Sequence, residues 1–148
     1  MLSLKYCQNQ AEAEDNLHDA FIEIFTNIKN YKGKGSFEGW MKKIVIYKAI
    51  NRFKQKIILT SIKDDYAQDT TIDENELSLS VDHILSLIQE LPHQYRLVFS
   101  LYELDDYSHQ EIAKMLSISE GTSKSNLHRA KSLLKEKIAS KIDSIITI

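Results

Sequence analysis

The chain has 148 residues, 43% hydrophobic and 27% charged, a globular mix that fits one ordinary domain or two small ones. Its single cysteine, Cys7, excludes an internal disulfide and any CxxC metal site, and no apolar run approaches the roughly 20 residues of a membrane helix. No secretory signal is present, so the chain is read as cytoplasmic and without membrane insertion.

One proline and four glycines, not recurring at strand-turn intervals, favour helices. The net charge of −2 hides a strong segregation. Residues 29–56 hold nine bases against the single acid Glu38, and residues 121–148 hold six bases against Glu136 and Asp143. Residues 57–80 hold Lys63 against six acids. Two basic segments in an acidic chain suggest two anion-binding surfaces, with two solvated helix faces as the plain alternative.

In chain order, Leu17, Ala20, Phe21, Ile24, Phe25 and Ile28 fall on one face of a helix over 11–30. Its acids lie in the first half, where the helix dipole favours them. Gly33 and Gly35 break the pattern within 31–36. A second helix is expected from about Phe37 to Arg52. Trp40, Met41, Ile44 and Val45 lie on its apolar side, and Lys42, Lys43, Lys48, Arg52, Lys54 and Lys56 supply the basic side. Residues 57–80 read as a polar, acidic linker between a first domain, 1–56, and a second, 81–148. In the second, Val81, Ile84, Leu85 and Ile88 form a helical face ending before Pro92, and Tyr95–Leu104 is a further apolar helix. Ser108 and Glu111 make a capping box that opens a short helix with Ile112, Ala113, Met115 and Leu116 inside. After a turn at Ser117–Glu120, Ser119 caps a last helix from about Glu120 to Ile142. The expected fold is all-α, two small helical domains joined by the acidic linker.

Two short helices joined by a tight turn, the second one basic, form a helix-turn-helix. On the last helix Ser123, Leu127, Ala130, Leu134 and Ile138 share one side, and Gly121, Ser125, His128, Arg129 and Ser132 the other, with Lys124 at the flank. The second side fits a major groove. Arg129 suits a guanine, Ser125 and His128 suit bases or phosphate, and Lys124 suits phosphate. An ordinary amphipathic surface helix is the plain alternative. An enzyme is not expected. The five histidines are scattered without an HExxH, no GxSxG occurs, and Gly33–Gly35 lacks the phosphate-loop spacing. No catalytic residue, metal, cofactor or small-molecule substrate is therefore expected.

The motifs Leu91-Pro92-x3-Arg96-x2-Phe99, Tyr107-Ser108-x2-Glu111-Ile112-Ala113 and Gly121-Thr122-x-Lys124-Ser125-x-Leu127-x-Arg129-Ala130 resemble region 4 of the extracytoplasmic-function sigma factors. Upstream, Ala13-Glu14-Asp15-x3-Asp19-x-Phe21 and Phe37-x2-Trp40-x3-Ile44 with Arg52 resemble region 2. The resemblance implies promoter DNA and core RNA polymerase as partners, and an anti-sigma protein as a further one. It implies that Asp15, Asp19 and Phe21 dock on the polymerase. Trp40, Lys42, Lys43, Tyr47, Lys48 and Arg52, with a turn after Ile46, would melt and hold the −10 element. Thr122, Lys124, Ser125, His128 and Arg129 would read the −35 element. Tyr47 stands where the family often has Asn, and Ser123 where it usually has a β-branched residue. Family members carry roughly one more helix before the segment matching Met1–Gln10, so the chain is read as shortened at its N-terminus. The free halves are expected to pack together, hiding both basic faces, or to be clamped by an anti-sigma protein. The competing readings are a helix-turn-helix regulator that needs no polymerase, and an inactive sigma homologue that binds an anti-sigma protein.

Overall fold

A computed structural model of the chain describes residues 1–60 and 80–147, and every regular element among them is helical. The first half holds α1 (Leu2–Tyr6), α2 (Gln10–Asn27) and α3 (Phe37–Thr60). Asn9 starts α2 by accepting a hydrogen bond from Glu12 N at 2.8 Å. Glu12 answers by accepting from Gln8 N at 3.1 Å. A 3₁₀ turn, Ile28–Asn30, leads into the glycine loop, where Gly33 (φ 72°) and Gly35 (φ 75°) take the left-handed conformation that side chains disfavour.

Ser36 caps α3 through Gly39 N at 3.0 Å. The helix then runs eight residues beyond the expected end at Arg52, because no glycine or proline stops it and its last turns are anchored. Lys54 donates to Ser117 at 3.4 Å and Lys56 pairs with Glu12 at 3.0 Å. The turn expected after Ile46 is therefore absent, and Tyr47 sits in mid-helix. The expected linker loses residues 57–60 to α3 and Ser80 to the cap of the next helix; the rest of it, 61–79, lies outside the described residues.

α2 and α3 lie antiparallel, as the order of their ion pairs requires. Glu23–Lys48 (2.5 Å), Asp19–Arg52 and Glu12–Lys56 (3.0 Å) follow one another along the seam. Between them Asn16 is fully buried and donates to Ser3 Oγ and Val45 O, both at 3.2 Å, which stitches the three helices together.

The second half holds α4 (Val81–Gln89), α5 (His93–Phe99), a π-helical turn (Ser100–Leu104), α6 (His109–Leu116) and α7 (Glu120–Ile146). Leu87, Ile88 and Leu91 carry the buried side of α4, whereas Val81 and Ile84, expected on that face, are exposed. Arg96 of α5 is 1% exposed, and two of its three guanidinium nitrogens find partners while Nε does not. It donates to Gln89 O, a terminal carbonyl of α4, and to His93 Nδ1, both at 2.6 Å.

The two halves share one apolar core. Tyr6, Cys7, Ala13, Ile46, Ala49 and Ile50 from the first pack with Leu97, Val98, Leu101, Ile112, Met115, Leu116 and Leu127 from the second. About 56 residues alone would bury a thin core, so burial against the second half completes the first.

Candidate nucleic-acid interface

The helix-turn-helix forms as its caps dictate. Ser108 Oγ accepts from Glu111 N at 3.2 Å, and the Glu111 carboxylate accepts from Ser108 N at 2.8 Å. That second bond holds the Glu111 carboxyl below the usual carboxylate range. Ser117 ends α6 in the left-handed conformation (φ 57°), and Ser119 opens α7 by accepting from Thr122 N at 3.0 Å. Only Ile118 separates those two serines. It packs on the shared core and fixes the angle between the helices.

On α7 the inner side is Ser123, Asn126, Leu127 and Ala130, all buried. Ser123, where a β-branched group was expected, instead pairs its hydroxyl with His109 Nδ1 at 2.8 Å. Tyr102 stacks on that imidazole at 4.3 Å. The outer side leaves Lys124, Ser125, His128 and Arg129 exposed together, with Thr122 half-buried and tied to Ser119. Arg129 donates to Tyr95 Oη at 3.2 Å, which steadies its guanidinium. Lys131 is neutralised by Glu103 at 2.5 Å.

The first basic segment sorts itself on α3. Trp40, Lys43, Tyr47, Asn51 and Lys54 recur every three or four residues and form one stripe. Lys48 and Arg52 point to the other side and are committed to Glu23 and Asp19 on α2, and Lys42 is paired with Glu38 at 2.9 Å. Of the six residues expected to act together, the structure therefore unites Trp40, Lys43 and Tyr47 and diverts the other three into ion pairs.

Beside Trp40 stand two aromatics that sequence reasoning missed. Tyr31 and Phe37 lie 5.5 and 5.6 Å from the indole and 5.2 Å from each other. Tyr31 Oη donates to Gly35 O at 2.7 Å, which ties this cluster to the glycine loop and its exposed Lys32 and Lys34. Half-exposed rings beside exposed lysines are the kind of surface on which unpaired bases stack. The signal that could have found it was the spacing of Tyr31 and Phe37 across two glycines.

Residues 2–56 match the family model described as Sigma-70 region 2, and residues 82–134 match Sigma-70, region 4. SigW, an ECF RNA polymerase sigma factor of Bacillus subtilis, is 30% identical over 150 residues, covering 88% of this chain and 77% of its own length. The chain belongs to the extracytoplasmic-function sigma factors. SigE of Mycolicibacterium smegmatis is 28% identical across 93% of this chain, which spans 56% of that relative's length. The fold matches, with a TM-score of 0.62 and 16% identity, a sigma factor RpoE of Bartonella quintana solved in complex with the anti-sigma factor NepR. The match covers 93% of this chain and 88% of that one.

In this sigma factor the apolar face expected on α2 is divided between core and surface. Ala20 and Ile24 are buried, while Leu17, Phe21, Phe25 and Ile28 form an exposed apolar row, Phe25 to 70%. The Phe21 and Phe25 rings stack at 6.4 Å. Contiguous exposed apolar rows of this kind are common at interaction surfaces. Asp15 is exposed near its start, whereas Asp19 is engaged by Arg52. The expectation that both basic faces are hidden holds for neither in full. The α7 face is open, because α7 packs its opposite side against α5 and α6. The α3 stripe is partly covered: Lys43, Tyr47, Asn51 and Lys54 face Tyr107, Glu111, Lys114 and Met115 across a cleft of about 420 Å³. Among the described residues no helix is long and apolar enough to cross a membrane.

Proposed function

We propose that this chain is the promoter-specificity subunit of a bacterial RNA polymerase, reading duplex DNA with α7 and unpaired DNA with the platform at the start of α3. The observation that carries this is the pairing, in one chain of sigma-factor family, of an exposed recognition face with a half-exposed aromatic cluster beside free lysines. Duplex reading suits a rigid helix whose Arg129 forks onto a guanine and whose Lys124 holds a phosphate, with Ser125, His128 and Thr122 as secondary contacts. Unpaired bases suit Trp40, Tyr31 and Phe37, with Lys43 and Tyr47 further along the strand path. Lys42, Lys48 and Arg52 join them only if their carboxylate partners release them. The apolar row Leu17–Phe21–Phe25 is the docking surface for the core polymerase, Asp15 adds an exposed carboxylate on another face of α2, and Asp19 contributes once freed from Arg52. The protein works in the cytoplasm, where polymerase and promoters are. An anti-sigma protein is a further partner, in keeping with the complex in which its structural neighbour was solved.

Run-off transcription with core polymerase on a promoter library tests the reading. Transcripts sharing two spaced upstream elements are expected. Duplex binding without any transcription would leave a helix-turn-helix regulator, and failure to bind polymerase while an anti-sigma protein is captured would leave an inactive homologue.

A further inference from the structure

We propose that the π-helical turn Ser100–Leu104 sets the pose of the reading helix α7, with Tyr102, His109 and Ser123 as positioning residues that act through α7 and not on DNA themselves. The inference rests on the duplex reading by α7 proposed above. A π turn takes one more residue than an α-helical one, and this one is closed by Asp105 N donating to Ser100 O at 3.1 Å. Two consecutive residues of the turn reach two different elements. The Tyr102 ring stacks on the His109 imidazole of α6 at 4.3 Å, with 19° between the planes. Glu103 pairs with Lys131 of α7 at 2.5 Å. His109 Nδ1 in turn shares a hydrogen bond with Ser123 Oγ at 2.8 Å, and Ser123 is fully buried.

The turn thus holds α7 at two points, residues 123 and 131. At a rise of 1.5 Å per residue these lie about 12 Å apart, and the exposed Lys124, Ser125, His128 and Arg129 all fall between them. The Glu103–Lys131 pair is partly solvated and contributes little by itself. The Ser123 contact is the directional one. Leu127 and Ala130 press α7 onto its neighbours, but apolar burial is non-directional and leaves the roll of a helix loosely set. A hydrogen bond accepts only a narrow range of length and angle, and a buried group is costly to leave without one. Tyr102 covers one face of the imidazole and so fixes the plane in which Nδ1 meets Ser123. The stake is the reading face. A roll of about 10° moves atoms 5–6 Å from the helix axis by about 1 Å. That is roughly twice the width of the 2.7–3.2 Å range over which an Arg129 guanidinium bonds a base edge.

The experiment uses the full chain bound to core polymerase. Two promoters differ in one base pair of the −35 element, and the ratio of their affinities is read beside the Tm of each chain. Val and Thr are nearly the same shape, and only Thr keeps the hydroxyl, so Ser123→Val and Ser123→Thr isolate the bond. Tyr102→Leu and Tyr102→Phe likewise isolate the aromatic face. Ser123→Val is expected to lower the ratio roughly three- to tenfold, the weight of one hydrogen bond, and Tyr102→Leu to lower it by at least about twofold. Ser123→Thr and Tyr102→Phe should keep the parent ratio. Affinity for an unrelated duplex, carried by phosphate contacts, should stay unchanged throughout.

A Tm difference between Ser123→Val and Ser123→Thr without a difference in ratio makes the contact structural only and overturns the inference. Equal loss of ratio in the two does the same, since the bond is then not its cause. Should neither branched variant fold, the Tyr102 pair decides: equal ratios in Tyr102→Phe and Tyr102→Leu overturn the positioning role. A parent with no −35 preference would sink the duplex reading by α7 and this inference with it. A clear parental preference that Ser123→Val retains would sink the inference alone.

Discussion

Trp40→Ala is the substitution that weighs most on the promoter reading. The indole is half-buried outside the shared core, held by Tyr31 at 5.5 Å and Phe37 at 5.6 Å. Removing it loses two aromatic contacts worth about 0.5–1.5 kcal/mol each, which a domain stable by roughly 5–15 kcal/mol survives. The effect on DNA is larger in proportion. One base stacked on an aromatic side chain contributes about 1–3 kcal/mol, so affinity for an unpaired −10 strand should fall roughly 5- to 150-fold. Trp40→Phe keeps a ring in place and should recover most of it. Fluorescence anisotropy with the chain bound to core polymerase reads this directly, using a single-stranded −10 oligonucleotide and a −35 duplex in parallel. The reasoning fails if Trp40→Ala binds the single strand within twofold of the parent. It fails equally if the duplex weakens by the same factor, because the loss then belongs to the whole protein and not to the platform.

Three further outcomes follow from the same geometry. Arg129→Ala should cost about 1–3 kcal/mol at one base pair of the −35 duplex and relax the preference there, whereas Lys124→Ala should weaken all sequences alike and lower the salt slope by about one; a titration of mutated duplexes at several salt concentrations separates the two. Ser108→Ala breaks the capping box of α6 and should destabilise the fold by about 1 kcal/mol, seen as a fall of roughly 2–4 °C in Tm. His93 must stay neutral to accept from Arg96, and burial together with Arg96 and Lys56 pushes it down to about 4 from an ordinary 6.5. The unfolded chain therefore takes up a proton that the folded chain refuses. The stability His93 contributes is complete above about pH 6.5 and is lost as pH falls toward 4. Half-exposure lets water screen much of the full shift, leaving an effect of about 1 kcal/mol. Denaturant unfolding at pH 7 and pH 5 measures it, and His93→Gln should flatten the difference.

Much of this protein is written locally. Caps at Ser108 and Ser119, the glycine break at 33–35 and the spacing of apolar residues on α6 and α7 each act within a turn or two of chain. They fixed the helices, the helix-turn-helix and the outward face of Lys124, Ser125, His128 and Arg129 before any tertiary contact was considered. Local signals do not say what lies beside a helix. The periodicity of α2 marks an apolar face but not that Ala20 and Ile24 are covered while Phe21 and Phe25 are left bare, since that depends on where α1 and α3 lie. Charge along α3 marks a basic helix, yet only the antiparallel seam decides that Lys48 and Arg52 are spent on Glu23 and Asp19 while Lys43 keeps clear of them. Tyr47 was placed at a turn by likeness to a pattern, and it sits in mid-helix because no residue there interrupts the backbone. The union of the halves through Lys5, Tyr6 and Asp105 joins residues about a hundred positions apart. No periodicity reaches that far; such contacts exist only once the whole chain has closed around one core.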